Sequence, residues 1–416
     1  MQTAKIALVL VIVVDVMGQG LAFPIFSTLL LGNSAALVPA GTPAAQREFL
    51  YGLLISVFFF SWFLGAVYVS HISDSVGRKR GILICLTGAL AGYLLTLVAI
   101  YVGSFWLLLV SRAVTGFTAG NQPIAQAAMV DLSRDEREKA RNMGLVMFGC
   151  SLGLIGGPLV GAAFSAGPLA QGSMAVMLPF VVGAALIAGA MAVVAVFFRE
   201  TSTTRAPLRI EPTAVFTLLW EITRRPVVIR IAVPYTLYML SFMTFYVFFD
   251  TLLEKRFGYG TEGQSAGMLV LGAALAVTST VLLPRIAALA SPFRLVVVLV
   301  VIEIAVVTSF VVSLDVTIVF IAITAMGAIH AVLFPTFLGL FSKVVDAADQ
   351  GWVMGVSIAL FTLASAIASL VGGAVGEASV AGLFGLSIAA AAATLLAVAI
   401  AWRTPAMREV AGAMPA

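Results

Sequence analysis

The chain has 416 residues, 61% of them hydrophobic and only 10% charged, with a mean hydropathy of +1.11, where soluble domains carry about 25% charged residues. That composition marks an integral membrane protein with room for about a dozen spans of ~20 residues, and leaves nothing for a soluble catalytic domain. A formal net charge of +4 invites a nucleic-acid partner in other settings, but here the basic residues are accounted for by membrane topology and no nucleic acid is expected.

Met1 to Lys5 begins like a signal peptide. The apolar run nevertheless continues past Phe26 with Asp15 and Pro24 inside it and without a convincing small-residue cleavage site, so it reads as a retained first span. The hydrophobic pattern predicts spans at residues 5–31, 49–70, 81–102, 105–130, 141–166, 174–198, 229–254, 264–287, 294–313, 316–342, 351–375 and 381–402. The expected fold is therefore an all-α membrane protein of twelve transmembrane helices. The expected domains are a six-helix bundle over 1–198, a linker over 199–228, a second six-helix bundle over 229–402 and a tail over 403–416. An even number of spans puts both termini on one side. Most of the 23 Lys and Arg residues fall on that side; Arg47, Lys255 and Arg256 fall on the other and Arg112 within a span. The positive-inside rule then predicts cytoplasmic termini, in an inner membrane.

Asp15 lies about a third of the way into the first span, among valines. Burial penalises a charged carboxylate, so an intramembrane Asp without a fixed partner is expected to take up and release protons. Gln19 follows four residues on, on the same helical face, and Pro24 bends the helix beyond. Between the second and third spans, Ser70-His-Ile-Ser-Asp74-Ser-Val-Gly77-Arg78-Lys79-Arg80 forms a short basic loop. Gly77 permits a tight reversal, Asp74 is placed to cap a helix or pair with Arg78, and Asp131 at the end of the fourth span offers Arg78 a second carboxylate. Such rim pairs suit a two-state latch, and equally suit simple retention of the loop on the inner side.

Arg112 lies deep in the fourth span and must find a carboxylate, carbonyls or water; Asp15 is the expected partner if the first and fourth spans are neighbours. In the fifth span Gly149, Gly153, Gly157 and Gly161 recur every fourth residue, a stripe without side chains against which a second helix can pack closely, and Pro158 should bend it. Cys85 and Cys150 read as small packing residues. After the sixth span, Thr213 to Trp220 is apolar and is followed by Glu221, Arg224 and Arg225, a pattern that suits either a short helix on the inner membrane face or a plain tether. Asp250 and Glu254 read as a solvated rim of the seventh span. Glu303, mid-way through the ninth, and His330, mid-way through the tenth, are expected to form a second titratable pair. At a constant offset of 211 residues, Gly116 falls on Gly327, Met143-Gly144 on Met354-Gly355 and Leu159-Val160-Gly161 on Leu370-Val371-Gly372, the mark of an internal repeat of the kind that alternating-access carriers are built from. No metal-spaced His/Cys set, phosphate loop or nucleophile with a base is visible, so neither an enzyme nor a metal or organic cofactor is expected.

These stretches together resemble the major facilitator superfamily, and within it the twelve-span drug:proton antiporters such as tetracycline and multidrug exporters. Asp74, Gly77, Arg78 and Lys79 are similar to the signature between the second and third spans, with Ser70 where a Gly and Ser75 where an Arg is usual. Arg112 with Gly116 and Gly120 resembles the fourth-span motif, whose Arg is associated with proton coupling. Asp131 matches the acidic residue at that span's end. Gly153, Gly157, Pro158 and Gly161 resemble the fifth-span antiporter motif, with Ala162 for its last Gly, and Asp15-Val-Met-Gly18-Gln-Gly20-Leu-Ala-Phe-Pro24 resembles the first span of tetracycline exporters. The resemblance implies proton-driven export, with Arg112 in proton coupling; Asp15, Glu303 and His330 are expected to share that role because of their depth in apolar spans, and a monomer in the lipid bilayer is expected. The resemblance also implies a cavity for a small amphipathic molecule lined by Gln19, Asn121, Gln122, Tyr235, Tyr238, Phe242, Phe245 and Tyr246. Alternatives on the same fold are export or proton-coupled uptake of a metabolite, siderophore or lipid-like molecule; a membrane receptor or scaffold is a different class.

Overall fold

The computed structural model describes residues 2–31, 37–39, 41–165, 174–201, 213–346, 349–376 and 380–412, and among them every regular element is helical. Among the described residues, eleven helical stretches are long and apolar enough to cross a membrane. The fourth predicted span is the exception. It is divided into α4 (Phe105–Phe117) and α5 (Asn121–Asp131), so a single helix over 105–130 is corrected to two. Pro123 contributes to the break, because it has no N–H to donate to the Ala119 carbonyl four residues back. The other spans lie within α1 (Gln2–Leu31), α2 (Ala44–Val76), α3 (Arg78–Val102), α6 (Glu136–Ser165, its span Arg141–Gly161), α7 (Met174–Phe197), α9 (Pro226–Phe257), α10 (Thr261–Val277), α12 (Pro292–Val312), α13 (Val316–Lys343), α14 (Gln350–Val375) and α15 (Val380–Ala401). The eighth span continues beyond α10 through a π-helical turn, Thr278–Leu282, into α11 (Leu283–Leu289). Pro284 has no N–H to offer the ladder, and the wider turn ahead of it absorbs the lost bond.

The chain divides into two compact units. The first comprises residues 1–212 with 253–269, the second 213–252 with 270–416. The last residues of α9 and the first half of α10 are grouped with the N-terminal helices. Polar contacts explain it. Glu254 accepts from Ser27 Oγ at 3.2 Å and from Gln264 Nε2 at 3.2 Å, and Lys255 pairs with Glu48. Asp250 is fully buried, so it is not the solvated rim that its place near a helix end suggested; Glu254 is half-buried.

In the first unit α6 lies along α1 in register. A Cβ at Gly149 would meet the Val9 carbonyl at 3.3 Å, one at Gly153 the Val13 carbonyl at 2.6 Å, and one at Gly157 the Met17 carbonyl; Pro158 Cδ stands 2.8 Å from a Cβ at Gly20. The four-residue glycine period thus matches the four-residue period of the α1 backbone, which is how small residues hold helices together in lipid. The repeat in sequence has a counterpart in packing: a Cβ at Gly116 would strike the Phe58 carbonyl of α2, and one at Gly327 the Leu271 carbonyl of α10. In the second unit, α8 (Ala214–Arg224) buries Val215 and Ile222 and leaves Phe216 and Trp220 73% and 60% exposed. A helix, rather than an unstructured tether, therefore occupies this part of the linker. The tail also packs: Trp402 donates to the Arg230 carbonyl at 2.8 Å, and α16 (Pro405–Ala411) buries Met407 and Ala411.

Candidate proton-coupling sites

The break between α4 and α5 creates the first site. A helix that restarts at Asn121 has unsatisfied N–H groups and a positive dipole end at its first turn. Asp15 of α1 is held there, accepting from Asn121 Nδ2 at 3.1 Å, with the Gln122 backbone amide within electrostatic reach. Asn121 is fully buried and Asp15 half-buried. The carboxylate is thus anchored to a helix N-terminus, as in discontinuous transporter helices.

Arg112, 4% exposed, makes no ion pair with Asp15, which corrects the expected pairing: α5 has taken the carboxylate. The guanidinium lies over the rings of Phe26 at 5.0 Å and Phe58 at 5.5 Å, a cation–π setting that partly replaces a counter-ion. Its Nε and Nη2 have no acceptor among the described residues. Asp15 and Arg112 nevertheless line one cavity of about 40 Å³, together with Tyr93, Thr115 and apolar side chains of α1, α2, α3 and α7. Gln19 lies on α1, with its side chain outside the described residues.

The second unit holds the other two ionisable groups, on neighbouring faces of α9. Fully buried Glu303 accepts from Ser241 Oγ at 2.7 Å; Ser241 Oγ lies 3.1 Å from Ser387 Oγ, which donates to the Ser241 carbonyl at 2.9 Å. Glu303 Oε2 has no partner among the described residues. His330 Nδ1 lies 2.7 Å from the Tyr238 hydroxyl, and its ring stacks on Phe242 at 3.7 Å and 9°. Glu303 and His330 are therefore not a pair: each engages α9 through different residues. The predicted aromatic wall divides in the same way. Tyr235, Tyr238, Phe242 and Tyr246 lie on the His330 side, with Tyr235 donating to the Ser357 carbonyl at 3.2 Å. Phe245 instead packs among Phe249, Phe310 and Phe384.

At the rim of the first unit, Arg78 Nε lies 3.6 Å from Asp131 Oδ2. Gly77 turns the chain at φ +101°. Asp74 lies in α2, its side chain outside the described residues. Glu200, which the sequence reading passed over, caps α3: its carboxylate accepts from the backbone amides of Arg78 at 2.8 Å and Lys79 at 3.2 Å and fills the space a Cβ on Gly77 would need. Thr201 donates to Asp131 at 3.3 Å. The available signal was topological, since the end of the sixth span emerges on the same side as this loop. Nearby, Lys5 pairs with Glu138 at 2.7 Å, and that hydrogen bond, aided by the Arg134 amide, holds the Glu138 carboxyl below its ordinary range. Among the described residues no three His, Cys, Asp or Glu side chains stand close enough to share a metal ion.

Residues 8–369 match the model of the Major Facilitator Superfamily. The chain is 30% identical over 216 residues to the class G tetracycline resistance protein of Vibrio anguillarum, covering 51% of this chain and 50% of that protein. It is 29% identical over 211 residues to the class B protein of Escherichia coli, covering 49% and 46%. It thus spans about half the length of these two relatives. With the class D protein of Salmonella ordonez it is 25% identical over 371 residues, 86% of each. Among solved structures it is similar to the human organic anion transporter MFSD10 (TETRAN), at 20% identity and TM-score 0.71 over 96% of this chain and 99% of that one. It is also similar to a D-xylose-proton symporter, at 14% and 0.72 over 96% and 97%. These two likenesses show the fold.

Proposed function

The chain belongs to the Major Facilitator Superfamily, and from that premise we propose that this transporter exports small amphipathic organic molecules in exchange for protons, with Asp15 as the group that carries the proton. It is a multi-pass membrane protein of a transporter family, not an enzyme family; the inner membrane, cytoplasmic termini and a monomeric state complete the proposal. The observation that carries it is the placing of Asp15. A carboxylate fixed on the α5 N-terminus beside a buried cation can exist charged or neutral inside the membrane, and a substrate that competes for it displaces its proton. The similarity to tetracycline resistance proteins supports export and suggests the first substrate to try. Glu303 and His330 are proposed as further proton-coupling groups of the second unit, Arg78 with Asp131 as the latch, and the proton gradient as the energy source.

The test is tetracycline uptake into everted membrane vesicles. Accumulation that requires an acid interior and vanishes in Asp15→Asn supports the proposal, and accumulation independent of the gradient refutes it. A second reading, transport of an organic anion, is favoured by Arg112, a buried cation without a carboxylate partner among the described residues, and by the likeness to MFSD10. A fluorescent organic anion offered to the same vesicles distinguishes the two.

A further inference from the structure

The cavity that Asp15 shares with Arg112 has a third polar group. Tyr93 of α3 is buried, and its ring is wedged between two helices that each present a glycine to it. A Cβ at Gly183 of α7 would stand 2.5 Å from Tyr93 Cε1, and a Cβ at Gly18 of α1 would stand 2.7 Å from the Tyr93 hydroxyl oxygen. Gly18 lies three residues beyond Asp15, so it shares a helical face with the carboxylate. The glycine therefore admits the hydroxyl to the Asp15 side of α1, and Phe180 fixes the ring from its edge, with centroids 5.7 Å apart. Tyr93 lies within electrostatic reach of both Asp15 and Arg112.

The remaining geometry says what the hydroxyl does there. Arg112 Nε and Nη2 are buried without an acceptor among the described residues, and buried donors of a charged group are costly to leave unpaired. The cavity of about 40 Å³ has room for roughly two or three water molecules, and its polar lining offers the partners that buried water needs. We propose that Tyr93 is a positioning residue of this site: its hydroxyl, seated against Gly18, links Asp15 to Arg112 through water in the cavity, so that a change of charge on the carboxylate is felt at the guanidinium. A direct ion pair would lock the two charges together. A hydroxyl that both donates and accepts can serve the charged and the neutral carboxyl alike.

The proposal rests on the reading of Asp15 as the proton-carrying group, and the test separates the two. The groups within electrostatic reach of Asp15 are Tyr93 and Cys85 on α3, Arg112 on α4, the amides of Asn121 and Gln122 on α5, and Cys150 on α6. On α2 and α7 the lining side chains are the apolar Phe58 and Ile187. In full-length protein labelled with ¹³C-aspartate, the infrared carboxyl band lost in Asp15→Asn is that of Asp15, whether charged or neutral. Tyr93→Phe is expected to displace this band, and Gly18→Ala, whose methyl group pushes the hydroxyl aside, to displace it likewise. In the double variant Gly18→Ala/Tyr93→Phe the methyl has room, because the next ring atom is 3.8 Å away. The double variant should therefore regain the thermal stability that Gly18→Ala loses while keeping the displaced band. A band unmoved by Tyr93→Phe overturns the proposal. If the band moves in Tyr93→Phe but does not change with pH between neutral and mildly acid conditions in the wild type, Tyr93 stands and the proton-carrying role of Asp15 falls.

Discussion

Asp15 is organised by what it touches. Its hydrogen bond from Asn121 can be given to an amide as well as to a carboxylate, so Asp15→Asn should fold, keep its thermal stability and lose proton-coupled exchange. Purified variant and wild type compared by melting temperature and by vesicle transport provide the check. Arg112→Lys, which keeps the charge but loses the planar group that sits over Phe26 and Phe58, should impair exchange despite its conservative chemistry. Outside the membrane, the Lys5–Glu138 pair predicts a pH effect of defined sign. The folded-state Glu138 is held below its ordinary value of 4.5, so its contribution to stability is complete above that value and fades as pH falls through the lower, folded one. Glu138→Gln should lower the melting temperature modestly at neutral pH, converge with wild type in acid and so flatten the profile across that window; an unaltered acid limb would contradict the assignment.

At the scale of elements, the interrupted fourth span is the decisive feature, and it was written in the chain. Gly120, Asn121 and Pro123 stand at the break, yet hydropathy runs straight through them, because an apolar window carries no record of which amides lack partners. Without the break Asp15 had no visible anchor, so Arg112 was the natural partner to expect. Pro123→Ala restores the missing N–H; it should let α4 and α5 approach continuity, weaken the hold on Asp15 and reduce exchange without lowering the melting temperature. The α6 stripe makes a sharper prediction. A methyl at Gly153 would stand 2.6 Å from the Val13 carbonyl and 2.9 Å from Val16 Cβ, neither of which can turn aside, so Gly153→Ala should destabilise by about 1–3 kcal/mol, the usual cost of overpacking. Gly144→Ala, on the same helix with nothing within 4 Å, is the control and should be close to neutral. The glycine period was legible from spacing alone, because in lipid the absence of side chains is itself the packing signal. Glu200 was not legible, because a carboxylate that caps a helix more than a hundred residues away leaves no local pattern.

For the whole molecule, composition settled the class, since so little charge over so long a chain leaves few alternatives to a bundle of membrane helices. The repeat, faint as three matches in sequence, is firmer in packing: Gly116 and Gly327 each bring one helix onto a carbonyl of another at equivalent places in the two halves. The paired roles expected of Glu303 and His330 were read from depth alone, and depth does not say which face of a helix a side chain meets. The central proposal is that the Asp15 carboxyl group on α1 exchanges its proton for a substrate. The most direct measurement is proton release from the purified, detergent-solubilised protein on addition of tetracycline, with wild type and Asp15→Asn side by side. The account predicts release from the wild type and none from the variant; release of equal size from both would contradict it.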